Sequence, residues 1–376
     1  MHIAIDLKNL ALHSGGIAAF GRPLVAAWLA HRPEYRFSLV GPRFDTAAFA
    51  GLGNWKRTDV PWPAKLPRSL RHPVYDTLLF PRAIAKLRPK FVFSLYHDVL
   101  LPAPSTGITS SMMIHDTCLD DVAEVYPRKI RRYYLTMLRV NLRRARHVLT
   151  VSQASRERII ERYRVPATRI SVVYNPIEQG FAAGLDLDNR ARAVRSGYGG
   201  SRVLFYAGGS EHRKNVGRLV AALGQLLRAG RDICLVTTGV RDPGWARVLD
   251  GGDALAASRV NFLGRLTVPE LETYYMAADA VVYPTLCEGF GRVCLEAMMA
   301  GTPLACSDLP VLREVAADYP HYFNPYNISS IAEGIERALA SGRLAPRRMP
   351  QFEQTRVATR FVTLMDRLTD DIVTTA

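Results

Sequence analysis

The chain has 376 residues, 48% of them hydrophobic, enough for two ordinary cores at roughly 100–200 residues per domain. No apolar run approaches the ~18–20 residues that span a bilayer, and the opening Met1-His2-Ile3-Ala4-Ile5-Asp6 lacks the basic start and long apolar core of a signal peptide. The net charge of +15 is uneven, with 27 Lys and Arg against 13 Asp and Glu in residues 1–180 and 22 against 21 in residues 181–376, so the first half favours an anionic partner: nucleic acid, an anionic membrane surface or a phosphorylated acceptor.

Short apolar runs alternate with longer amphipathic ones. Strands are expected at Ile3–Leu7, Phe37–Val40, Phe91–Leu95, Met112–His115, His147–Val151 and Ser171–Tyr174. A second series follows at Val203–Ala207, Ile233–Thr237, Val260–Leu263, Ala280–Tyr283 and Pro303–Cys306. Helices are expected between them, at Ile17–Ala30, Ile130–Arg146, Val216–Arg228, Pro269–Ala278 and Arg292–Ala300. Strand–helix alternation carried through twice is the pattern of two Rossmann-like, doubly wound α/β domains, read here as residues 1–180 and 195–354. The polar stretch from Asn175 to about Gly200 reads as an irregular linker. The last segment, about 355–376, is helical with no strand after it, and in folds of this class such a tail commonly crosses back to the first domain.

Five places carry chemistry. Ser14-Gly15-Gly16-Ile17 follows the first strand and opens a helix, so its backbone can approach a phosphate or an acceptor; a plain loop reads equally well. His115 closes a strand, where its ring can hydrogen-bond a sugar hydroxyl or the backbone near neutral pH. Residues 125–156 contain no acid, and Arg128, Lys129, Arg131, Arg132, Arg139, Arg143, Arg144 and Arg146 mix there with Tyr133 and Tyr134. That composition suits an anionic membrane surface or a solvated face. After the strand Val203–Ala207, a turn with Gly208 and Gly209 leads to Arg213 and Lys214 and then a helix. Basic residues at a helix start oppose its dipole, which favours a phosphate-binding reason for them.

The most informative run is Tyr283-Pro-Thr-Leu-Cys-Glu288-Gly-Phe-Gly-Arg-Val-Cys-Leu-Glu296-Ala-Met-Met-Ala-Gly301-Thr-Pro303. A buried strand ends in a loop, Glu288–Gly291, and a helix begins near Arg292. Backbone amides beside small glycines, together with the helix start, suit a pyrophosphate. Glu288 in the loop and Glu296 one turn in each offer two acceptor oxygens to a vicinal diol, one on a sugar and one on a ribose. Two carboxylates favoured by the helix dipole are the structural alternative.

This run resembles the Glu-x7-Glu signature of the family 4 glycosyltransferases, with its EGFG, LEAM and GTP pieces intact. The likeness extends through Val260–Gly264, Tyr275–Pro284, Leu309–Val315 and Tyr322–Pro325, and more loosely through the first half. The opening is similar to that of the bacterial mannosyltransferase-like branch. The resemblance implies a GT-B fold, two Rossmann-like domains facing a central cleft, and transfer with retention, without a metal. It implies a nucleotide-sugar donor, GDP-mannose favoured over UDP- and other GDP-sugars. The donor would lie among Gly15, Gly16, Gly209, Leu263, Gly289, Phe290, Gly291 and Glu296, with His115, Glu288, Arg213 and Lys214 at the reaction. The family's Arg-x5-Lys pair keeps Lys214 but has Gly208 at the Arg position, which leaves Arg213 as the substitute. The basic first half suits a glycan or polyprenyl-pyrophosphate-linked acceptor, handled by a cytoplasmic enzyme peripheral on the inner face of the membrane. The competing readings fit less. Nucleic-acid binding explains only the charge. A dehydrogenase needs GxGxxG after the first strand, which Ser14–Ile17 does not supply. A non-catalytic relative would lack Glu288 or His115. A UDP-sugar-dependent transferase stays open beside the GDP-mannose reading.

Overall fold

The computed structural model describes residues 1–12, 16–177 and 185–374. Among these residues thirteen strands form two sheets, all parallel. The first holds β1 (His2–Asp6), β2 (Arg36–Gly41), β3 (Asn54–Asp59), β4 (Phe91–Ser94), β5 (Thr109–Ile114), β6 (His147–Thr150) and β7 (Ile170–Val172), in the order β3-β2-β1-β4-β5-β6-β7. The second holds β8 (Arg202–Tyr206), β9 (Ile233–Thr237), β10 (Val260–Phe262), β11 (Ala280–Tyr283), β12 (Leu304–Ser307) and β13 (His321–Phe323), in the order β10-β9-β8-β11-β12-β13. Both orders are the doubly wound one, reversing beside the first strand of each sheet.

The central strands are continuous apolar runs because helices cover both faces of a parallel sheet. In β1, Ile3, Ala4 and Ile5 are wholly buried, and β8 buries Val203 through Tyr206 in the same way. Two strands escaped the sequence reading, and both are edges. Strand β3 reads Asn-Trp-Lys-Arg-Thr-Asp with most side chains exposed, and β13 has three residues, so neither shows an apolar run. The supposed linker contains a twelve-residue helix, Leu185–Ser196. Its Ala and Arg residues are good helix formers, and Leu187 and Ala191 are buried as it packs on Val268–Ala277.

Contacts divide the chain into two units. Met1–Asp120, Pro127–Pro176 and Gln351–Ala376 form the first, and Asp121–Tyr126 with Ile177–Pro350 the second. In the first, the helix Gly16–His31 buries Trp28 edge-on against Phe37, Phe91 and Phe93 of the sheet. The final helix, Gln354–Thr374, adds Phe361 to the same cluster at 6.1 Å from Trp28. Such aromatic pairs contribute about 0.5–1.5 kcal/mol each beyond area burial, which fastens the tail to the first unit. In the second unit Trp245 plays the corresponding part between Tyr206 and Phe262.

Candidate active site

In a doubly wound sheet the loops leaving the two strands at the order reversal diverge, and ligands bind there. In the second sheet those strands are β8 and β11. The loop after β8 runs through Gly209 into a short turn, His212–Lys214, and Asn215 then caps the helix Val216–Arg228 in the left-handed region, φ 61°. The Asn215 side-chain amide donates to the carbonyls of Pro284 (3.0 Å) and Pro325 (2.7 Å), and the Leu286 N–H donates to the Arg213 carbonyl (2.7 Å). These bonds stitch the β8 and β11 loops together.

The stitching brings three of the expected residues to one point. Arg213 Nη1 and Lys214 Nζ both donate to Glu288 Oε1, each at 2.7 Å, and Thr285 Oγ1 lies 3.0 Å from the same oxygen. Lys214 Nζ also donates to the Tyr283 hydroxyl at 3.2 Å and lies 5.1 Å from that ring's centroid. Burial pushes the Glu288 carboxyl up, but Lys214 and Arg213 outweigh it and hold the group at about 2. Two cations on one carboxylate leave a surplus positive charge at the mouth of a helix, which attracts an anion.

The glycines here answer to geometry. Gly291, φ 98°, starts the helix Arg292–Ala300, and a Cβ on it would lie 2.5 Å from Leu312 Cδ2; Gly301, φ 68°, ends the helix, with a Cβ 2.5 Å from the Leu344 carbonyl oxygen. Gly289 and Phe290 are buried in the loop just before Gly291. One turn in, Glu296 accepts from the Tyr275 hydroxyl at 2.6 Å, and Arg292 Nε is 3.6 Å from its other oxygen. Leu263 donates its N–H to the Thr237 carbonyl at the ends of β10 and β9, and Gly264 pairs with Gly239 beside it. In the loop after β8, the Gly209 carbonyl accepts from the Tyr206 hydroxyl at 2.7 Å.

In the first unit, His115 follows β5. Its Nε2 lies 2.9 Å from the Leu95 carbonyl oxygen, Phe20 meets it edge-on at 5.1 Å and Tyr96 stacks at 5.9 Å. A carbonyl only accepts, so the ring proton is on Nε2. Burial lowers the ring's pKa and keeps it neutral. Phe20 lies on the helix that Gly16 begins, while a Cβ on Gly16 would meet nothing within 4 Å, so packing does not demand that glycine. Gly15 lies outside the described residues.

The basic helix Arg128–Arg144 differs from expectation in which groups face out. Tyr133 turns inward and donates to Asp76 at 2.9 Å, and Tyr134 is only partly exposed. Arg131 is bound to the Leu119 carbonyl and Asp120, and Arg144 to the Leu101 carbonyl. Arg128, Lys129, Arg132, Arg139 and Arg143 are exposed, and Ile130 with them at 47%. The 3.6-residue period places Tyr133, Met137 and Asn141 on the inner side.

Sequence reasoning missed a buried cluster at the order reversal of the first sheet. Lys8, wholly buried after β1, donates to Asp76 at 2.6 Å and to Asp98. Burial raises the Asp76 carboxyl above its ordinary range, with Lys8 opposing. Among the described residues, His72, Asp76 and Asp98 are the group whose ligand atoms could surround a metal ion, and the Lys8 ammonium already sits on two of them. Tyr275, Tyr283 and Thr285 were also missed. They stood in the sequence as ordinary helix, strand and loop residues; Tyr283 and Thr285 are marked only by their place at the carboxyl end of β11, and Tyr275 only by its hydroxyl bond to Glu296.

A family model described as Glycosyltransferase Family 4 matches residues 15–180, and one described as Glycosyl transferases group 1 matches residues 189–354. The chain belongs to the family 4 glycosyltransferases. It is similar to the O-antigen chain mannosyltransferase RfbU of Salmonella typhimurium, 28% identical over 254 residues, 67% of this chain and 66% of that one. It is also similar to O-antigen chain mannosyltransferase B of Escherichia coli, 29% identical over 272 residues, 70% and 69% of the two chains. The chain thus spans about two thirds of each relative's length in these matches. Sucrose-phosphate synthase from Thermosynechococcus elongatus superposes with a TM-score of 0.72 at 19% identity, over 100% of both chains. The enzyme has the GT-B fold of these transferases.

Proposed function

We propose that the enzyme moves mannose from GDP-mannose to a hydroxyl of a glycan or of a polyprenyl-pyrophosphate-linked oligosaccharide, with retention at the anomeric carbon. The observation that carries this reading is the meeting of Arg213, Lys214 and Glu288 at the order reversal of the second sheet, beside the Gly289–Gly291 loop and Glu296. The cations and loop amides receive the diphosphate, Glu288 the transferred sugar and Glu296 the ribose. The choice of mannose rests on the mannosyltransferase names of the similar proteins.

The transfer is front-face. The bond from the anomeric carbon to the phosphate oxygen breaks, and its electron pair leaves with the nucleoside diphosphate. The acceptor oxygen bonds that carbon from the same face, and its proton passes to the leaving phosphate. Arg213 and Lys214 stabilise the charge gathering on the leaving group in place of a metal ion. Neutral His115 with its fixed tautomer helps place the sugar. The exposed basic face of Arg128–Arg143 holds the enzyme peripherally on an anionic membrane, on the cytoplasmic side; among the described residues no helix is long and apolar enough to cross one.

A thermal-shift screen of GDP- and UDP-sugars, followed by a donor-hydrolysis assay with the anomeric configuration read by NMR, tests the reading. GDP-mannose is expected to give the largest shift and to be hydrolysed with retention. Stabilisation by UDP-sugars alone would reassign the base, and inversion would remove the front-face mechanism.

A further inference from the structure

Arg213 and Lys214 do not stand open to an incoming phosphate. Both donate to a single oxygen, Glu288 Oε1, and the carboxylate is held there by Thr285 and the Tyr283 hydroxyl. The Lys214 and Glu288 side chains are only 12% and 11% exposed, so water screens the pair weakly. Two cations and Thr285 on Oε1 hold the carboxylate in one orientation, so it cannot turn to meet sugar hydroxyls while they stay. A diphosphate brings more charge and more oxygens to the same two cations, and they cannot serve both anions fully.

We propose that Glu288 is a built-in competitor for the donor's diphosphate: Arg213 and Lys214 leave its Oε1 for the diphosphate oxygens, and the freed carboxylate turns to the hydroxyls of the transferred sugar. This rests on the donor-site reading above and gives Glu288 a further task in specificity. A free sugar meets a carboxylate that is already paired. A ligand without a diphosphate does not draw off both cations, so Glu288 stays closed to it. Diphosphate and sugar each favour the state in which these ion pairs are broken, so each strengthens the binding of the other.

Calorimetric titration of GDP, with UDP as a second probe, into the wild type, Glu288→Gln and Glu288→Asp tests the exchange. Glutamine is neutral and holds the cations weakly. GDP affinity is expected to rise roughly tenfold, the scale of one lost charge-assisted hydrogen bond, while turnover of the donor falls. Aspartate keeps the charge but is one methylene shorter, so a smaller rise there attributes the effect to pairing rather than to repulsion alone. Melting of the unliganded variants checks their folding, and if the glutamine variant is unfolded the aspartate variant decides by the same criterion. Unchanged or weaker GDP binding in a folded variant, beside a wild type that binds GDP, overturns the competition and leaves the donor site standing. A wild type that binds neither nucleoside diphosphate removes both.

Discussion

Lys214 Nζ lies 2.7 Å from Glu288 Oε1 across 74 residues of chain. The contact exists because β8 and β11 are neighbours in the second sheet and their following loops share hydrogen bonds through Asn215 and Leu286. It joins the His212–Lys214 turn to the Glu-x7-Glu run.

The two glutamates should separate in their effects. Glu296→Ala removes a carboxylate held by Tyr275, the proposed partner of the ribose, and is expected to weaken GDP binding about tenfold. Glu288→Ala should leave GDP binding undiminished while turnover drops on the order of a hundredfold. Titration of GDP and initial rates on both variants measure this; unchanged GDP affinity in Glu296→Ala would remove the ribose assignment.

Acid should uncouple the Glu288 cluster. This carboxyl sits at about 2, below its ordinary 4.5, so its stabilisation is present above pH 4.5 and is lost as pH falls from 4.5 toward 2. The melting temperature of Glu288→Gln should be lower than that of the wild type at neutral pH, because two partly buried cations lose their partner. It should also change less with pH in that window. Parallel melting profiles for the two proteins would contradict this.

His115 should act as a neutral ring. Burial lowers its pKa below 6.5, so the unfolded chain takes up this proton first. Its stabilisation is full above pH 6.5 and declines as pH falls toward the lower folded value. Between pH 7 and 8 the rate should show no ionisation from this group, and His115→Ala should cost roughly a hundredfold in kcat through misplacement of the sugar. A pH–rate profile of both proteins supplies the check.

Chelation should leave turnover largely intact. In the proposed transfer Arg213 and Lys214 supply positive charge at the diphosphate, and Lys8 occupies the carboxylates of the one group with metal-holding geometry among the described residues. Loss of activity in EDTA, restored by a divalent ion, would overturn the metal-free mechanism.

Binding to anionic liposomes should depend on the outward cations of the helix Arg128–Arg144. Each basic residue near an anionic surface contributes about 1 kcal/mol, screened within roughly 8–10 Å at physiological salt. Changing Arg128, Lys129, Arg132 and Arg143 to Gln should abolish co-sedimentation. Changing Arg131 and Arg144, which are tied to backbone carbonyls, should lower stability more than membrane binding. A wild type that ignores anionic liposomes at low salt would end the membrane proposal without touching the donor site.

The sequence by itself determined the central strands, because strands covered on both faces must be continuously apolar, as Ile3–Ile5 and Val203–Tyr206 are. It also determined the bounds of the helix Arg292–Ala300, because the left-handed Gly291 and Gly301 around it leave a local signature that needs no partner to be read. Only the tertiary structure decided the rest. The edge strands β3 and β13 owe their existence to a neighbouring strand rather than to their own pattern. The inward turn of Tyr133 is set by Asp76, 57 residues away. The Lys8–Asp76–Asp98 cluster and the Arg213–Lys214–Glu288 junction are assembled by strand order, and a linear pattern carries no record of which strands become neighbours.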